Sequence, residues 1–289
     1  MLDAIIWDVD PIAIHWGLNG GIRWYGILWA IGIYLVYWTQ VKIYRYEKLP
    51  QEWLDILFVW LTLGAILGAR IGHCLFYEWH LTNDPIQIFA WTINYRNPYI
   101  ENPLAMLKIW EGGLASHGGA AGLILAVWAV NKYKFSKKPE YKTSLVWIFD
   151  RLVIGVCLCG AAIRLGNLMN SEIYGGPTDL PWGFIFVRDG QTVPCHPTQI
   201  YEMLYCLAAF VITVTMYQWG KLYKREGMIF GVFLEIIFGV RFLLEFIKND
   251  QEAFEQGMLL NMGQLLSIPF IIWGIYLIVN ALRHEKRRP

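Results

Sequence analysis

Charged residues are scarce in this sequence: of 289 residues only 16% are charged, whereas 56% are hydrophobic and 16% aromatic. A soluble chain carries about 25% charged residues, so this one has too little polar surface to cover soluble domains. A net charge of +1 and five cysteines exclude a nucleic-acid binder and a disulfide scaffold. No basic residue precedes Arg23, and a cleaved secretory signal needs a positive start, so we expect none.

Long apolar segments take the place of the missing charge. A helix needs about 20 mostly apolar residues to cross a membrane, and an open sheet cannot satisfy its backbone in lipid. Seven segments meet this requirement: 23–40, 53–77, 113–130, 145–166, 198–219, 228–247 and 260–282. The sequence therefore predicts an all-α polytopic membrane protein with about seven transmembrane helices, in which residues 1–289 form a single integral membrane domain.

The basic residues predict the orientation of these spans. Fifteen Lys and Arg residues follow the first, third, fifth and seventh spans, and only Arg96, Lys108, Arg188 and Lys248 lie in the other loops. Because cytoplasmic loops carry the excess of Lys and Arg, we expect the N-terminus outside and the C-terminus in the cytoplasm. The long outer segments are then an interfacial arm at about 78–112, rich in Trp and Tyr, and a head at about 167–197.

Polar residues concentrate at the outer ends of the predicted spans. An ionisable residue at membrane depth is costly unless it is paired, so it is a functional candidate by default. The outer group comprises Tyr25, Arg70, His73, His117, Arg164, Asn167, Asn170, Glu172, His196, Gln199, Glu202, Arg241 and Glu245, whereas Asp150 and Arg151 lie near an inner end. This distribution predicts one polar, cation-bearing cavity that opens to the outer leaflet.

Structural roles compete with functional ones for some of these residues. Arg241 and Glu245 are four residues apart and could form a helical ion pair alone, and Arg70 could serve helix-to-helix bonding or headgroup contact. The cysteines show no ligand spacing, so we expect them to fill space. A ladder of small residues in the second span predicts close helix packing: Gly64, Gly68 and Gly72.

His117 lies in a glycine-rich block, EGGLASHGGAAG at 111–122. Glycines let a backbone or a ligand approach closely. A lone buried histidine is usually a satisfied core residue, but this setting favours a functional role for His117, with Gly118 and Gly119 beside it.

The segment at 164–175 has the densest set of polar residues. Arg164, Asn167 and Asn170 repeat every three residues and therefore share one broad helix face. A guanidinium with two carboxamides suits a phosphate diester and its glycerol hydroxyls. A helix-cap role also fits Asn170 and Glu172.

These segments resemble the motifs of the bacterial prolipoprotein diacylglyceryl transferase family. The matching segments are RWYG at 23–26, GGLASHGG at 112–119, GAAIRLGNLMNSEIYG at 160–175, HPTQIYE at 196–202 and RFLLEF at 241–246. They occur in family order and extend from about Arg23 to about Gln264.

The resemblance implies an integral enzyme of the bacterial inner membrane whose active site faces the periplasmic side. Such an enzyme moves the diacylglyceryl group of phosphatidylglycerol to the lipobox cysteine thiol of a prolipoprotein and releases glycerol 1-phosphate, as the first step of lipoprotein maturation. The resemblance implies functional roles for Tyr25, His117, Arg164, Asn167, Asn170, Glu172, Gly175, Arg241 and Glu245. The secondary candidates are His196, Gln199, Glu202, Arg70 and Asp150. Ile237 departs from the family, which commonly has a tyrosine there.

The chemistry of that reaction agrees with the residues present. The nucleophile belongs to the substrate, so the enzyme needs no Ser or Cys of its own. A base or a positive field must favour the thiolate, and His117 is the residue of the cavity with a suitable unperturbed pKa for the base. Arg164 and Arg241 could bind the leaving phosphate bidentately. No Asp or His cluster has metal-site spacing, and we expect neither a metal nor a cofactor.

Other classes of protein remain as alternatives. A transporter or channel for an anionic solute would also place arginines at membrane depth, but polar residues should then line both leaflets. An intramembrane protease would need a Ser/His, paired-Asp or His-Glu-x-x-His arrangement, and Ser116 faces away from its neighbour His117 on a helix. A non-catalytic lipid-binding subunit would have no use for His117.

Overall fold

The computed structural model describes residues 4–16, 20–76, 80–88, 91–96, 98–107, 116–135, 137, 143–248 and 259–285. The chain divides into two compact units. The first unit comprises Met1–Ile43 with Val146–Pro289, and the second comprises Tyr44–Leu145. The predicted head thus belongs to the first unit and the predicted arm to the second.

Helices form most of both units. The first contains most of α1 (Trp24–Tyr46), with α5 (Leu145–Met169), α6 (Thr198–Gln218), α7 (Met228–Leu244) and α8 (Met262–Glu285). The second contains α2 (Gln51–Phe76), the short α3 (Pro98–Glu101) and α4 (Ser116–Val130). Each predicted span that falls on described residues corresponds to one of these helices, with ends shifted by a few residues.

Five of the described helices are long and apolar enough to cross a membrane, namely α1, α2, α5, α6 and α8. This confirms the prediction of a polytopic helical membrane protein. The other two predicted spans are shorter, since α4 has 15 residues and α7 has 17. A π-helical turn, Asn131–Phe135, extends α4. The count of seven spans and their orientation remain predictions.

Large apolar side chains face outward along the helices. Tyr34, Leu125, Val211 and Ile272 are each more than half exposed. A soluble protein rarely exposes so much contiguous apolar surface, whereas lipid tails solvate it. These outward faces are therefore the lipid-contacting surfaces of the helices.

Short strands, which the sequence does not predict, form three two-stranded sheets. Strand β1 (Ile5–Trp7) pairs in parallel with β6 (Phe184–Phe186). The other pairs are antiparallel: β2 (Ile12–Trp16) with β3 (Gly20–Arg23), and β4 (His80–Ile88) with β5 (Trp91–Arg96). Such pairs leave backbone groups unpaired on their outer edges, so they belong outside the hydrocarbon core.

The head has its own apolar core. Phe184 and Phe186 of β6 are buried with Leu168 and Cys195. Trp7 packs on Phe184 at 5.4 Å between ring centroids, and its Nε1 donates to the Leu168 carbonyl oxygen at 3.0 Å. The N-terminal strand is thus part of the head, which extends beyond the predicted 167–197.

In the second unit, α2 and α4 meet through glycines. A Cβ added at Gly64 would lie 2.6 Å from the carbonyl oxygen of Gly122, which no real side chain tolerates. Gly68 and Gly118 are equally close, each facing the other's carbonyl oxygen. The predicted close packing of the glycine ladder in α2 is therefore confirmed, and its partner is the glycine-rich block of α4.

Candidate active site

The last turns of α5 place Arg164 and Asn167 on one face. The Nε of Arg164 lies 3.0 Å from Oε2 of Glu202 on α6, and its Nη1 donates to Oδ1 of Asn167 at 3.3 Å. The Glu202 side chain is fully buried, whereas 21% of the Arg164 side chain is exposed. A buried carboxylate thus holds a guanidinium whose side chain remains partly exposed.

Glu172 joins the two asparagines of the predicted helix face. Its Oε1 accepts from Nδ2 of Asn167 at 2.7 Å and from Nδ2 of Asn170 at 3.3 Å. Among the described residues, the buried Oδ1 of Asn170 has no hydrogen-bond partner. Buried polar atoms are normally satisfied, so this acceptor is suited to a donor on a ligand.

The loop that carries Glu172 has a strained backbone. Ser171 has a φ of 54° and Ile173 a φ of 60°, a region that side chains other than glycine rarely adopt. The start of α6 holds the loop: Gln199 Nε2 donates to the Glu172 carbonyl oxygen at 2.7 Å, and Thr198 Oγ1 to that of Ile173 at 2.8 Å. Such strain persists only where the surroundings enforce it, typically at functional sites.

Gly175 closes the same loop at a point with no room for a side chain. Its N–H donates to the His196 carbonyl oxygen at 2.9 Å. An added Cβ would lie 2.5 Å from the carbonyl oxygen of Ile247. The structure therefore explains the glycine by close backbone packing, and a contact with lipid remains a proposal.

Tyr174 braces the outer side of the loop. Its hydroxyl donates to Asp189 Oδ2 and accepts from Gln191 Nε2 at 2.7 Å. Burial, and then the bond to Asp189, raises the pKa of Tyr174 to about 12. The hydroxyl therefore stays protonated and keeps this contact at physiological pH.

A second arginine lies at the end of α7. The Nε of Arg241 lies 3.3 Å from Oε1 of Glu245, which confirms the ion pair expected from their spacing. The other Glu245 oxygen, Oε2, accepts from Asn261 Nδ2 at 3.2 Å. The Arg241 side chain is 29% exposed and that of Glu245 only 5%. This arrangement repeats that of Arg164 and Glu202.

Lys248 connects the two arginine–carboxylate pairs. Its Nζ lies 2.8 Å from Oε1 of Glu202 and 3.4 Å from Oε1 of Glu245. Arg164 and Arg241 thus belong to one chain of alternating charges. In the sequence Lys248 is notable only as an outer-loop cation, although its i,i+3 spacing from Glu245 is a usable signal.

Tyr25 also lies at this cluster. It is in the first turn of α1, and its ring lies against Gly166, where an added Cβ would come within 2.8 Å of Tyr25 Cδ2. Gly166 directly precedes Asn167, so the Tyr25 ring flanks the polar face of α5.

Three secondary candidates have clear structural contacts. Gln199 holds the strained loop, as described above. The ring of His196 lies 3.3 Å from the Tyr201 hydroxyl and faces an apolar groove lined by residues that include Trp182 and Leu204. Asp150 caps the start of α7, since its two oxygens accept from the backbone N–H groups of Gly227 and Phe230 at 2.7 and 2.8 Å. These contacts give Asp150 a structural role, and a role in the site remains a prediction.

The remaining predicted residues lie in the second unit. Arg70 is buried, and it donates to the Met106 carbonyl oxygen at 3.1 Å and to the Tyr99 hydroxyl at 3.4 Å, which ties the arm to α2. A Cβ added at Gly118 would lie 2.2 Å from the Gly68 carbonyl oxygen, so helix packing accounts for this glycine, whereas one at Gly119 would make only ordinary contacts of 3.5 Å with α2. The backbone of His117 lies in the first turn of α4, and its side chain lies outside the described residues. The roles of these residues in catalysis remain predictions.

Acidic, histidine and cysteine side chains are the usual ligands of metal ions in proteins. Within the described parts of the chain, no group of three or more such side chains is arranged to bind a metal ion. The ligand that the charged cluster suits is an anion with hydroxyl groups, because guanidinium, carboxamide and carboxylate groups converge there.

The fold and the cluster define a polytopic membrane protein with a cluster of paired charges, two of them partly exposed arginines, at the ends of α5 and α7. Comparison with known proteins agrees with this class. The family profile described as prolipoprotein diacylglyceryl transferase matches residues 11–280. The chain belongs to this family.

Individual relatives match over nearly their whole length. A protein named phosphatidylglycerol–prolipoprotein diacylglyceryl transferase from Porphyromonas gingivalis is 43% identical, covering 97% of this chain and 95% of that protein. A protein of the same name from Tolumonas auensis is 40% identical, covering 98% and 100%. One from Bacteroides fragilis is 38% identical, covering 96% and 95%.

Proposed function

We propose that this protein transfers the diacylglyceryl group of phosphatidylglycerol to the cysteine thiol of a prolipoprotein lipobox. Its family and the names of its relatives support this activity. The observation that carries the proposal is the cluster in which Arg164 and Arg241 are each held by a buried carboxylate. It is an enzyme of the transferase class, acting on a lipid and a membrane-attached protein.

The two guanidiniums bind the phosphate of the lipid. Each contacts its carboxylate through Nε, and each side chain is partly exposed. Arginine binds phosphate bidentately through its planar fork. The glycerol hydroxyls of the headgroup donate to Asn170 Oδ1 and to Glu172, the acceptors of the adjacent loop.

The chemical step forms one bond and breaks one bond. The cysteine thiolate attacks the glycerol carbon that bears the phosphate ester, a carbon–sulfur thioether forms, and the carbon–oxygen bond to the phosphate breaks. The electron pair leaves with glycerol 1-phosphate, and the thiol proton passes to a base. Arg164 and Arg241 stabilise the negative charge that grows on the leaving phosphate.

His117 takes the thiol proton, and Tyr25 borders the headgroup beside Asn167. Imidazole is the side chain whose pKa suits this task near neutral pH. His117→Gln should lower turnover by about 10²–10⁴-fold. The loss should shrink as the pH rises toward the thiol pKa of about 8.5. A loss independent of pH, together with weaker lipid binding, would instead make His117 a headgroup ligand.

The protein lies in the bacterial inner membrane with this site at the outer leaflet. The imbalance of fifteen basic residues against four supports this orientation. Cysteine tags at 132–142 and beyond 283 should react only from the cytoplasmic side, and tags at 83–99 only from the outer side. Reversed labelling would place the site at the opposite leaflet.

The deciding experiment uses the full-length protein in lipid. Purified protein is mixed with phosphatidylglycerol and a lipobox peptide, and the product is identified by mass spectrometry. We expect a peptide heavier by one diacylglyceryl group and an equal amount of glycerol 1-phosphate. A peptide with a serine in place of the cysteine is the control. Absence of the thioether with folded protein and excess lipid would disprove the proposed function.

A further inference from the structure

The amino group of Lys248 is buried between two carboxylates. It lies 2.8 Å from Oε1 of Glu202 and 3.4 Å from Oε1 of Glu245, and only 1% of its side chain is exposed. A lysine this deeply buried must be paired. Because it is shielded on all sides, it cannot touch a lipid headgroup itself.

The backbone holds Lys248 in this position independently of its charge. Lys248 forms an isolated β-bridge with Gly175, and the carbonyl oxygen of Ile247 accepts from the N–H of Gly176 at 3.0 Å. The chain that follows α7 is therefore attached to the strained loop of Glu172. Any shift of Lys248 would be transmitted to that loop as well as to the two carboxylates.

The exposed fraction of the side chains rises from Lys248 and its carboxylates to the two arginines. The side chains of Glu202 and Glu245 are 0% and 5% exposed, whereas those of Arg164 and Arg241 are 21% and 29% exposed. The accessible layer thus consists of guanidiniums, and the layer beneath it of carboxylates with Lys248 between them. A ligand meets the arginines, whose orientation the buried layer determines.

The charges of this cluster balance only when Lys248 is counted. Three cations, Arg164, Arg241 and Lys248, stand against three carboxylates, Glu172, Glu202 and Glu245. Without the lysine the cluster would carry an excess of one negative charge. Glu202 and Glu245 would then bind their arginines more strongly and compete with an incoming phosphate.

We propose that Lys248 is a positioning residue for the phosphate site, which neutralises Glu202 and Glu245 and so leaves Arg164 and Arg241 available to an anionic headgroup. This inference rests on the proposed function, because the anion is the phosphatidylglycerol phosphate. Lys248 acts through the two arginines and takes no part in the bond-making step.

Three substitutions at Lys248 separate charge from packing. Lys248→Met removes the charge and keeps the length of the chain. Lys248→Gln removes the charge but keeps a donor between the carboxylates, so it should fold even where the methionine variant does not. Lys248→Arg keeps the charge. The matched control is Arg188→Met, which removes a cation of the head that is exposed and paired with Asp8 at 2.9 Å.

The readouts are the kinetics of transfer to a lipobox peptide and the retention of phosphatidylglycerol against phosphatidylcholine in native mass spectrometry. For Lys248→Met and Lys248→Gln we expect the KM for phosphatidylglycerol to rise at least about tenfold, the scale of removing one charge near a bound anion inside a protein. Retention should fall in parallel. Lys248→Arg should stay within about threefold of the native protein, and Arg188→Met within about twofold.

Several outcomes would overturn the inference. They are an unchanged KM in a folded neutral variant, a lower melting temperature with normal KM, and a loss in Lys248→Arg as large as in Lys248→Gln. Failure of the proposed function would look different, because the native protein itself would form no thioether. Retention of phosphatidylglycerol that still depended on the charge of Lys248 would then support the anion site alone.

Discussion

The α2–α4 interface and the charged cluster of α5, α6 and α7 are held together by opposite means. In the first, glycine backbones touch, and nothing larger than hydrogen fits at Gly64 or Gly122. In the second, buried carboxylates at Glu202 and Glu245 bind three cations through ion pairs 2.8–3.4 Å long. One region depends on shape and the other on charge.

The difference separates an interface that stabilises the fold from a cluster whose proposed role is chemical. Between helices in lipid there is little hydrophobic driving force, so close packing of small residues stabilises the association. Buried ion pairs, in contrast, add little net stability because desolvation offsets their attraction. A cluster of six charged side chains is therefore better explained by the binding of a ligand, as proposed above, than by a contribution to the stability of the fold.

The largest effect should come from filling the glycine interface. Gly122→Ala places a Cβ against the carbonyl oxygen of Gly64, so the helices must separate. We expect a loss of about 3 kcal/mol or more of stability, measured by thermal unfolding in detergent. Gly239→Ala is the matched control, because no atom lies within 4 Å of its added Cβ. Equal stability of the two variants would mean that α2 and α4 do not pack as described.

The next effect should come from the charged cluster. Arg164→Lys keeps the positive charge but loses the planar fork that reaches both Glu202 and a phosphate. We expect the transfer rate to fall by about 10²–10³-fold, with little change in melting temperature. Arg241→Lys provides the parallel comparison. Near-normal turnover in either variant would show that the residue acts only as a diffuse charge.

A smaller effect should follow at Asp150, a buried carboxylate of the same unit whose two oxygens cap α7. Asp150→Asn leaves one acceptor for the two N–H groups of Gly227 and Phe230 at the start of α7. Loss of such a cap costs about 1–2 kcal/mol. Unfolding should shift accordingly, while the KM for phosphatidylglycerol stays unchanged. An altered KM for phosphatidylglycerol would show that Asp150 contributes to the binding of substrate.

The smallest effect should be a gain in stability at Ser171. This residue has a φ of 54°, and its buried hydroxyl has no partner among the described residues. Ser171→Gly should stabilise the protein by about 1 kcal/mol, because glycine adopts this conformation without strain. Ser171→Ala, which keeps the Cβ, should gain less. Destabilisation by the glycine would show that the loop is not strained.

The sequence predicted most of the helices because their signal is local. Apolar length alone indicates a span, and every predicted span found on described residues is a helix. The sequence did not predict the strands, because they are short and some pair with partners far away in the chain. Strand β1 pairs with β6 across about 180 residues. Because β1 and β6 are so far apart in sequence, composition also did not show that the N-terminal strand is part of the head.

The residues of the candidate site were predicted better than their partners. Arg164, Asn167, Asn170 and Glu172 are close in sequence, and α5 with its following loop brings them together. Glu202 was only a secondary candidate, although it contacts both Arg164 and Lys248 in the structure. No sequence pattern indicates such contacts, because 46 residues separate Glu202 from Lys248.

The sequence by itself determined that this chain is a helical membrane protein with polar residues near the ends of its spans. Hydrophobic length and residue type are local quantities, and the membrane acts on each segment separately. The tertiary structure decided which charges neutralise one another, which carboxylate caps a helix and which glycines face a neighbouring backbone. Those outcomes depend on distances of a few ångströms between segments far apart in the chain, and only the packing of the helices determines such distances.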